Sequence, residues 1–281
     1  MAEARIGISG WVYQPWRGVF YPKGLRQRDE LAYASSHVTS IELNGSFYSL
    51  QKPASWVSWR DGTPDDFVFS VKAPRFITHI KRLGDIELPL ANFLASGLLA
   101  LGPKLGPLLW QLPPNLHYDP DLLERFLAML PRTTGEALER ARGREEARMS
   151  GKELLEIDAD RPLRHAIEPR SFSFDDPRFA DQLRAHGVAA VLGDNEGRWP
   201  KLDWVTEGFA YARLHGDEVL YTSGYDDEAL DGWAAWVRAH LSAGRDAYVY
   251  FDNDAKVRAP VDAMGLIRRL REPTSAADGP G

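Results

Sequence analysis

Eight short runs of apolar and β-branched residues recur along the chain: Arg5–Ser9, Thr39–Leu43, Phe67–Lys72, Leu108–Leu112, Leu163–Glu168, Val188–Gly193, Phe209–His215 and Ala247–Asp252. Between them lie segments with helical spacing, Gln27–Ser36, Pro53–Trp59, Leu90–Leu101, Asp121–Leu130, Pro177–His186, Asp226–Ala243 and Ala255–Arg271. Strands alternating with helices predict βαβ units and a parallel sheet. Asp119-Pro120-Asp121 and Asp175-Asp176-Pro177 are start signals, a short acceptor for the cap followed by proline in the first turn. The sixth crossover, 194–208, is too short for a long helix and contains Trp199-Pro200.

Eight units in about 250 residues match a single closed (β/α)8 barrel of the triosephosphate-isomerase (TIM) type, whereas a doubly wound open sheet more often has five to seven strands. One domain over 1–271 is therefore expected. Residues 133–160, rich in Arg and Glu, break the repeat and read as a charged helical insertion before the fifth strand, a solvated surface helix laced with ion pairs. The tail 272–281 has no periodicity and reads as disordered.

Side chains alternate faces along a strand, so one parity enters the barrel and the other packs on the helices. The second strand sets Ile41 and Leu43 against Ser40, Glu42 and Asn44, and the third sets Phe67, Phe69 and Val71 against Val68, Ser70 and Lys72. The fifth opposes Ile167 to Ala166, Glu168 and Arg170; the sixth, Val191 to Ala190, Leu192 and Asp194. The last two oppose Leu214 to Tyr211, Arg213 and His215, and Val249 and Phe251 to Tyr248, Tyr250 and Asp252. The polar members gather at the carboxyl ends, joined by Ser9 and Gln111. Burying isolated charge costs several kcal/mol per ion, and this end of a barrel is where catalysis is placed, so these residues read as a site.

Composition narrows the chemistry. A net charge of −6 and a pI near 5.7 disfavour nucleic acid as the main partner. The absence of cysteine excludes disulfides, thiolate metal sites and a cysteine nucleophile. No run reaches the roughly 18 apolar residues of a membrane span, and no secretory signal is visible at the amino terminus, so a cytoplasmic protein with no membrane partner is expected. Oligomeric state is left open.

The inventory is Glu42, Glu168, Asp194 and Asp252 against Lys72, Arg170 and Arg213, with His215, Asn44, Gln111 and Asn253 as neutral partners. Mixed signs at close quarters drive pKa values apart and let one site hold an acid and a base. Glu42, Glu168, Asp194 and His215 are the catalytic candidates. Ser9, Trp11, Asn44, Tyr48, Lys72, Gln111, Arg170, Arg213, Asp252 and Asn253 are the candidates for binding a small molecule with an anionic group, arginine being suited to carboxylate or phosphate.

No cofactor is evident. A divalent metal held by Glu42, Glu168, Asp194, His215 and Asp252 is an alternative, weakened by the single histidine and the competing cations. A Schiff-base lysine at Lys72 requires a depressed pKa, whereas adjacent carboxylates are expected to raise it. A Ser9–His215–Asp252 triad lacks the Gly-x-Ser-x-Gly elbow. Aromatics at Trp11, Tyr13, Trp16, Phe47, Tyr48 and Trp199 frame the same rim, either as a wall for a sugar or base or as loop packing.

The runs Ile6-Gly7-Ile8-Ser9-Gly10-Trp11, Trp16-Arg17-Gly18-Val19-Phe20-Tyr21-Pro22, Ile41-Glu42-Leu43-Asn44-Gly45-Ser46-Phe47-Tyr48 and Phe69-Ser70-Val71-Lys72-Ala73-Pro74-Arg75, with Thr78-His79, resemble the YecE-like family, domain of unknown function 72. So do Gln111-Leu112-Pro113-Pro114, Tyr211-Ala212-Arg213-Leu214-His215-Gly216 and Tyr250-Phe251-Asp252-Asn253-Asp254, and the resemblance covers about 6–270. Glu168-Pro169-Arg170 stands where the family tends to have Glu-Phe-Arg, and Asn44-Gly45-Ser46 where it tends to have Asn-Ser-Thr. The resemblance implies a TIM-type barrel similar to those of endonuclease IV and xylose isomerase, which are metal-dependent. A repair nuclease of that kind, or a non-catalytic ligand-binding barrel, is the alternative to an acid–base enzyme.

Overall fold

A computed structural model of the chain describes residues 1–216, 224–253 and 257–272. Its strands are β1 (Ala4–Ser9), β2 (Ser40–Leu43), β3 (Val68–Lys72), β4 (Leu105–Gln111), β5 (His165–Glu168), β6 (Ala189–Asp194), β7 (Phe209–Leu214) and β8 (Asp246–Phe251). Each pairs in parallel with the next, and β8 returns to β1, closing the barrel. The helices are α1 (Glu30–Ser35), α2 (Gly45–Tyr48), α3 (Pro53–Asp61), α4 (Glu87–Ala95), α5 (Pro120–Met129), α6 (Thr134–Arg142), α7 (Glu146–Met149), α8 (Pro177–Ala185), α9 (Asp227–Ser242) and α10 (Arg258–Arg271). None is long and apolar enough to cross a membrane among the described residues.

Local chemistry accounts for where the helices begin. Asp119, Thr133, Asp176 and Asp226 each accept a backbone N–H of the first turn of α5, α6, α8 and α9, and proline opens α3, α5 and α8. The predicted helix at Leu90–Leu101 divides into α4 and a following 3-10 segment, Leu98–Lys104, broken at Gly97 with φ of 99°. The 194–208 crossover holds no helix. The short α2 and a single π turn at Phe76–Ile80 were not anticipated from the pattern. Residues 255 and 256 of the last predicted helix and all but Glu272 of the tail lie outside the described residues.

The 133–160 insertion differs from the single solvated helix expected. It forms α6 and α7, and Ala137, Ala141 and Met149 are buried, α6 packing on α4. Arg and Glu dominate its composition, but small residues four apart give α6 an apolar stripe that needs covering. An Arg142–Glu139 ion pair does decorate its outer face.

Two apolar layers surround the sheet. Outside, Ile6, Ile8, Ile41, Leu43, Phe69, Val71, Trp110, Ile167, Leu214, Val249 and Phe251 pack against the helices. Inside lie Leu109, Ala166, Ala189, Val191, Phe209, Tyr211, Tyr248 and Tyr250. Barrel interiors are usually filled by branched aliphatics; here tyrosines reach across to small residues. Tyr250 OH meets Ser40 Oγ at 2.7 Å, and Tyr211 OH meets Ser70 Oγ at 2.8 Å. Gly7 serves the same economy of space, since a Cβ there would stand 1.9 Å from the Ser40 carbonyl oxygen.

One parity assignment is corrected. Val191 faces the interior, while Ala190 and Leu192 join the outer layer, so Asp194 projects away from the barrel axis. The β6 sequence Ala-Ala-Val-Leu-Gly-Asp carries two small residues and a glycine, which leave alternation without contrast.

A charge cluster at the barrel mouth

The carboxyl ends of β2, β5, β7 and β8 bring their inward side chains onto one guanidinium. Arg213 Nε and Nη2 donate to Glu42 at 3.0 and 2.9 Å, Nη1 to both oxygens of Glu168 at 3.0 Å, and Nη2 also to Asp252 Oδ2 at 2.9 Å. Glu42 further accepts from Tyr211 OH at 2.7 Å and Ser9 Oγ at 3.1 Å, and Glu168 from Gln111 Nε2 at 2.5 Å. His215 spans the remaining gap, Nε2 lying 3.3 Å from Glu168 Oε1 and Nδ1 3.2 Å from Asp252 Oδ2. Arg213, Glu42 and His215 are wholly buried and Glu168 almost so.

Charges this deep survive only because they are paired and hydrogen-bonded. Burial alone would raise the carboxyl of Glu168, but Arg213, then Arg170 and His215, overcome it and hold the group well below the usual carboxylate range. Burial opposes ionisation of Asp252 likewise, and Arg213 and His215 again prevail. In return, Arg213 is driven further up by the carboxylates against the burial that would lower it. Tyr211, whose phenol burial and Glu42 push well above its ordinary value, is a donor in this network that the parity pattern exposed but the residue type concealed.

A second group of polar side chains stands beside this floor with unused capacity. Lys72 is buried on β3; among the described residues its Nζ makes no ion pair or hydrogen bond and lies 4.4 Å from the centroid of Phe47. Burial first, then Arg213, lower its pKa to about 8, against the pull of Glu42, Asp252 and Glu168. The acids do pull it upward as expected, but burial and Arg213 outweigh them, so the net direction is opposite to the one expected. Arg170 stacks at 4.2 Å on the ring of Trp199, with Nη2 3.6 Å from Glu168 and a buried Nε lacking an acceptor. Asn44 donates to the Ser9 carbonyl at 3.3 Å, but its Oδ1 is buried without a donor. Asp252, only partly covered, meets both Arg213 and His215 through Oδ2.

The field around these groups is positive. His79, hydrogen-bonded to Thr78 Oγ1 at 2.8 Å and edge-on to Phe47, is lowered to about 4 by burial and then by Lys72, Arg75 and Arg170. Trp199 is positioned by Asn195, whose Oδ1 accepts the Trp199 backbone N–H, and by Gly193, where a Cβ would stand 3.0 Å from the indole nitrogen. Neither Asn195 nor Gly193 had been singled out; the signal available was only a glycine on the inner face of β6.

Several candidates fall elsewhere. Asp194 pairs with Lys201 at 2.9 Å and accepts from Tyr225 OH at 3.0 Å, off the cluster. Asn253 donates to Asp262 at 2.8 Å and anchors α10. Trp11 is partly exposed and packs edge-on against Trp59, whereas Trp16 is core, enclosed by Tyr13, Phe20 and Tyr21. Tyr48 is exposed and lines, with Phe47, Phe76, Leu88 and Met149, an adjoining groove of about 770 Å³. Of the five proposed metal ligands Asp194 is displaced, the other acids converge on Arg213 and enclose His215, and no cluster of three His, Asp or Glu suited to a metal exists among the described residues.

Fold and site together define a closed eight-stranded parallel α/β barrel with an arginine-centred carboxylate floor at its carboxyl-end mouth. The chain belongs to the family described as protein of unknown function DUF72, whose model matches residues 5–280. It is 33% identical to the UPF0759 protein YunF of Bacillus subtilis (strain 168), over 89% of this chain and 88% of that one. A shorter match to the UPF0759 protein YecE of Escherichia coli (strain K12), 32% identical, covers 38% of this chain and 37% of the relative. Among solved structures, a DUF72 family protein of Thermotoga maritima MSB8 superposes with a TM-score of 0.74 at 26% identity, covering 96% of this chain and all of the other. One from Enterococcus faecalis V583 shares the fold, with a TM-score of 0.73 at 16% identity over 96% of each chain.

Proposed function

We propose that the protein is an enzyme that binds a small polar molecule bearing an anionic group at the barrel mouth and moves protons on it. The observation that carries this reading is the contrast between a saturated acid–arginine floor and the unsatisfied Lys72, Arg170 and Asn44 beside it. Native proteins rarely leave buried polar atoms unpartnered, and those that remain ask for a ligand or water. Arg170, fixed by stacking on Trp199, suits a carboxylate or phosphate. The positive field at His79 favours the same class of ligand.

Proton transfer then falls to Lys72, whose pKa of about 8 lies near neutrality, where a general acid or base is most effective. Asp252 stays ionised and offers its outer oxygen to a substrate hydroxyl. Glu42, Glu168 and Arg213 hold that geometry. The test is thermal unfolding of the full chain against a panel of inorganic phosphate, sugar phosphates and small carboxylic acids. At least one should raise the melting temperature of the wild type and fail to do so in Arg170→Ala. A panel that leaves the wild type unmoved, or that stabilises Arg170→Ala equally, would sink the reading.

A further inference from the structure

We propose that Lys72 is a nucleophile that condenses with an aldehyde or ketone, so that the substrate of this mouth is a carbonyl compound carrying an anionic group. The inference rests on the proposed anionic-ligand site and adds a covalent step to it. An amine attacks a carbonyl only as the free base, so a lysine chosen for this work must lack a carboxylate partner and be desolvated or stand near another cation. Lys72 meets both conditions for a reason visible in the fold. Three acids converge nearby, but Arg213 occupies them, and the amine is left against the face of Phe47. Lys104 provides the contrast: it is also buried, yet its Nζ donates to the carbonyls of Arg60 and Thr63 at 2.6 and 2.8 Å, the bonding of a structural lysine.

The chemistry balances without an oxidant or reductant. The nitrogen lone pair forms a C–N bond as the carbonyl π pair moves to oxygen, giving a carbinolamine once the ammonium proton is transferred to that oxygen. A second proton from nitrogen leaves with the hydroxyl as water, giving C=N. Arg170 lies at the same mouth for the anionic group, whose charge would offset that of a protonated imine. The groove lined by Phe47 and Tyr48 offers room for the rest of the molecule.

The test is reductive trapping. The full chain is incubated at pH 7 with pyruvate or dihydroxyacetone phosphate and sodium cyanoborohydride, and adducts are located by peptide mass mapping. At a pKa of about 8 the free-base fraction exceeds that of an ordinary lysine by roughly two orders of magnitude. Lys72 should therefore be modified at least about tenfold faster than the exposed Lys23, Lys52 and Lys201. Excess phosphate should slow it, and Lys72→Arg should abolish that adduct alone. Modification of Lys72 no faster than the exposed lysines with both probes overturns the inference. If phosphate still stabilises the protein through Arg170 in that case, the anionic site stands and only the covalent step falls; if it does not, both fall.

Discussion

Two buried cations stand on the same inner face of this barrel and differ in almost every respect that matters. Arg213 on β7 spends each of its nitrogens on carboxylates from three strands, whereas Lys72 on β3 has an aromatic face and, among the described residues, no acceptor. The first is what a charge looks like when it holds a structure together; the second is a charge kept at a cost to stability. Polarity inside the barrel is thus not by itself a mark of function. The discriminating property is whether each polar atom is satisfied, because an unsatisfied one costs its desolvation without return.

The comparison is broken most forcefully at Arg213. Arg213→Met leaves Glu42, Glu168 and Asp252 buried without their counter-ion and should cost at least about 3–5 kcal/mol, read from urea unfolding; a loss under 1 kcal/mol would remove Arg213 from its organising role. Lowering the pH attacks the same floor. Glu168 and Asp252 have depressed pKa values in the fold, so their contribution is complete above the unfolded carboxylate pKa of about 4 and is lost as pH falls through the folded values. Stability measured from pH 6 to 2 should fall only below about 4, and less steeply in Glu168→Gln.

The unsatisfied side chains beside the floor respond differently. Arg170→Ala should change stability by no more than about 1 kcal/mol, since its pairing with Glu168 is long and partial, while abolishing stabilisation by anions. The smallest effect belongs to Lys201→Ala, which removes the pairing of Asp194 outside the mouth; a change below about 0.5 kcal/mol with anion binding intact would sharpen the boundary of the site.

Much of this was legible beforehand because a barrel repeats one local rule. Each strand was located to within a few residues from its apolar run, and inward parity placed Glu42, Lys72, Gln111, Glu168, Arg213 and Asp252 at one mouth. Parity failed in β6, where Ala189, Ala190 and Gly193 give no hydrophobic contrast. The sign of the Lys72 shift was misjudged for a different reason. Whether three carboxylates pair with a lysine or an arginine is decided by side-chain reach across the barrel between residues 171 and 45 positions apart, which no local pattern encodes. Trp16 stayed open between packing and rim because an aromatic after a strand serves both equally well, and its complete burial places it in the core.

The most direct test of the distinction between the satisfied floor and the unsatisfied side chains beside it is the stability of Lys72→Met as a function of pH. The folded pKa of about 8 lies below the ordinary 10.5, so below pH 8 the wild type bears the full cost of a buried ammonium, and it recovers as pH rises toward 10.5. Lys72→Met should therefore be more stable than the wild type at pH 7, by about 2–3 kcal/mol, with the gap closing between pH 8 and 10.5. A variant less stable than the wild type at pH 7, with a gap independent of pH, would show that Lys72 is a satisfied structural lysine and would contradict the account.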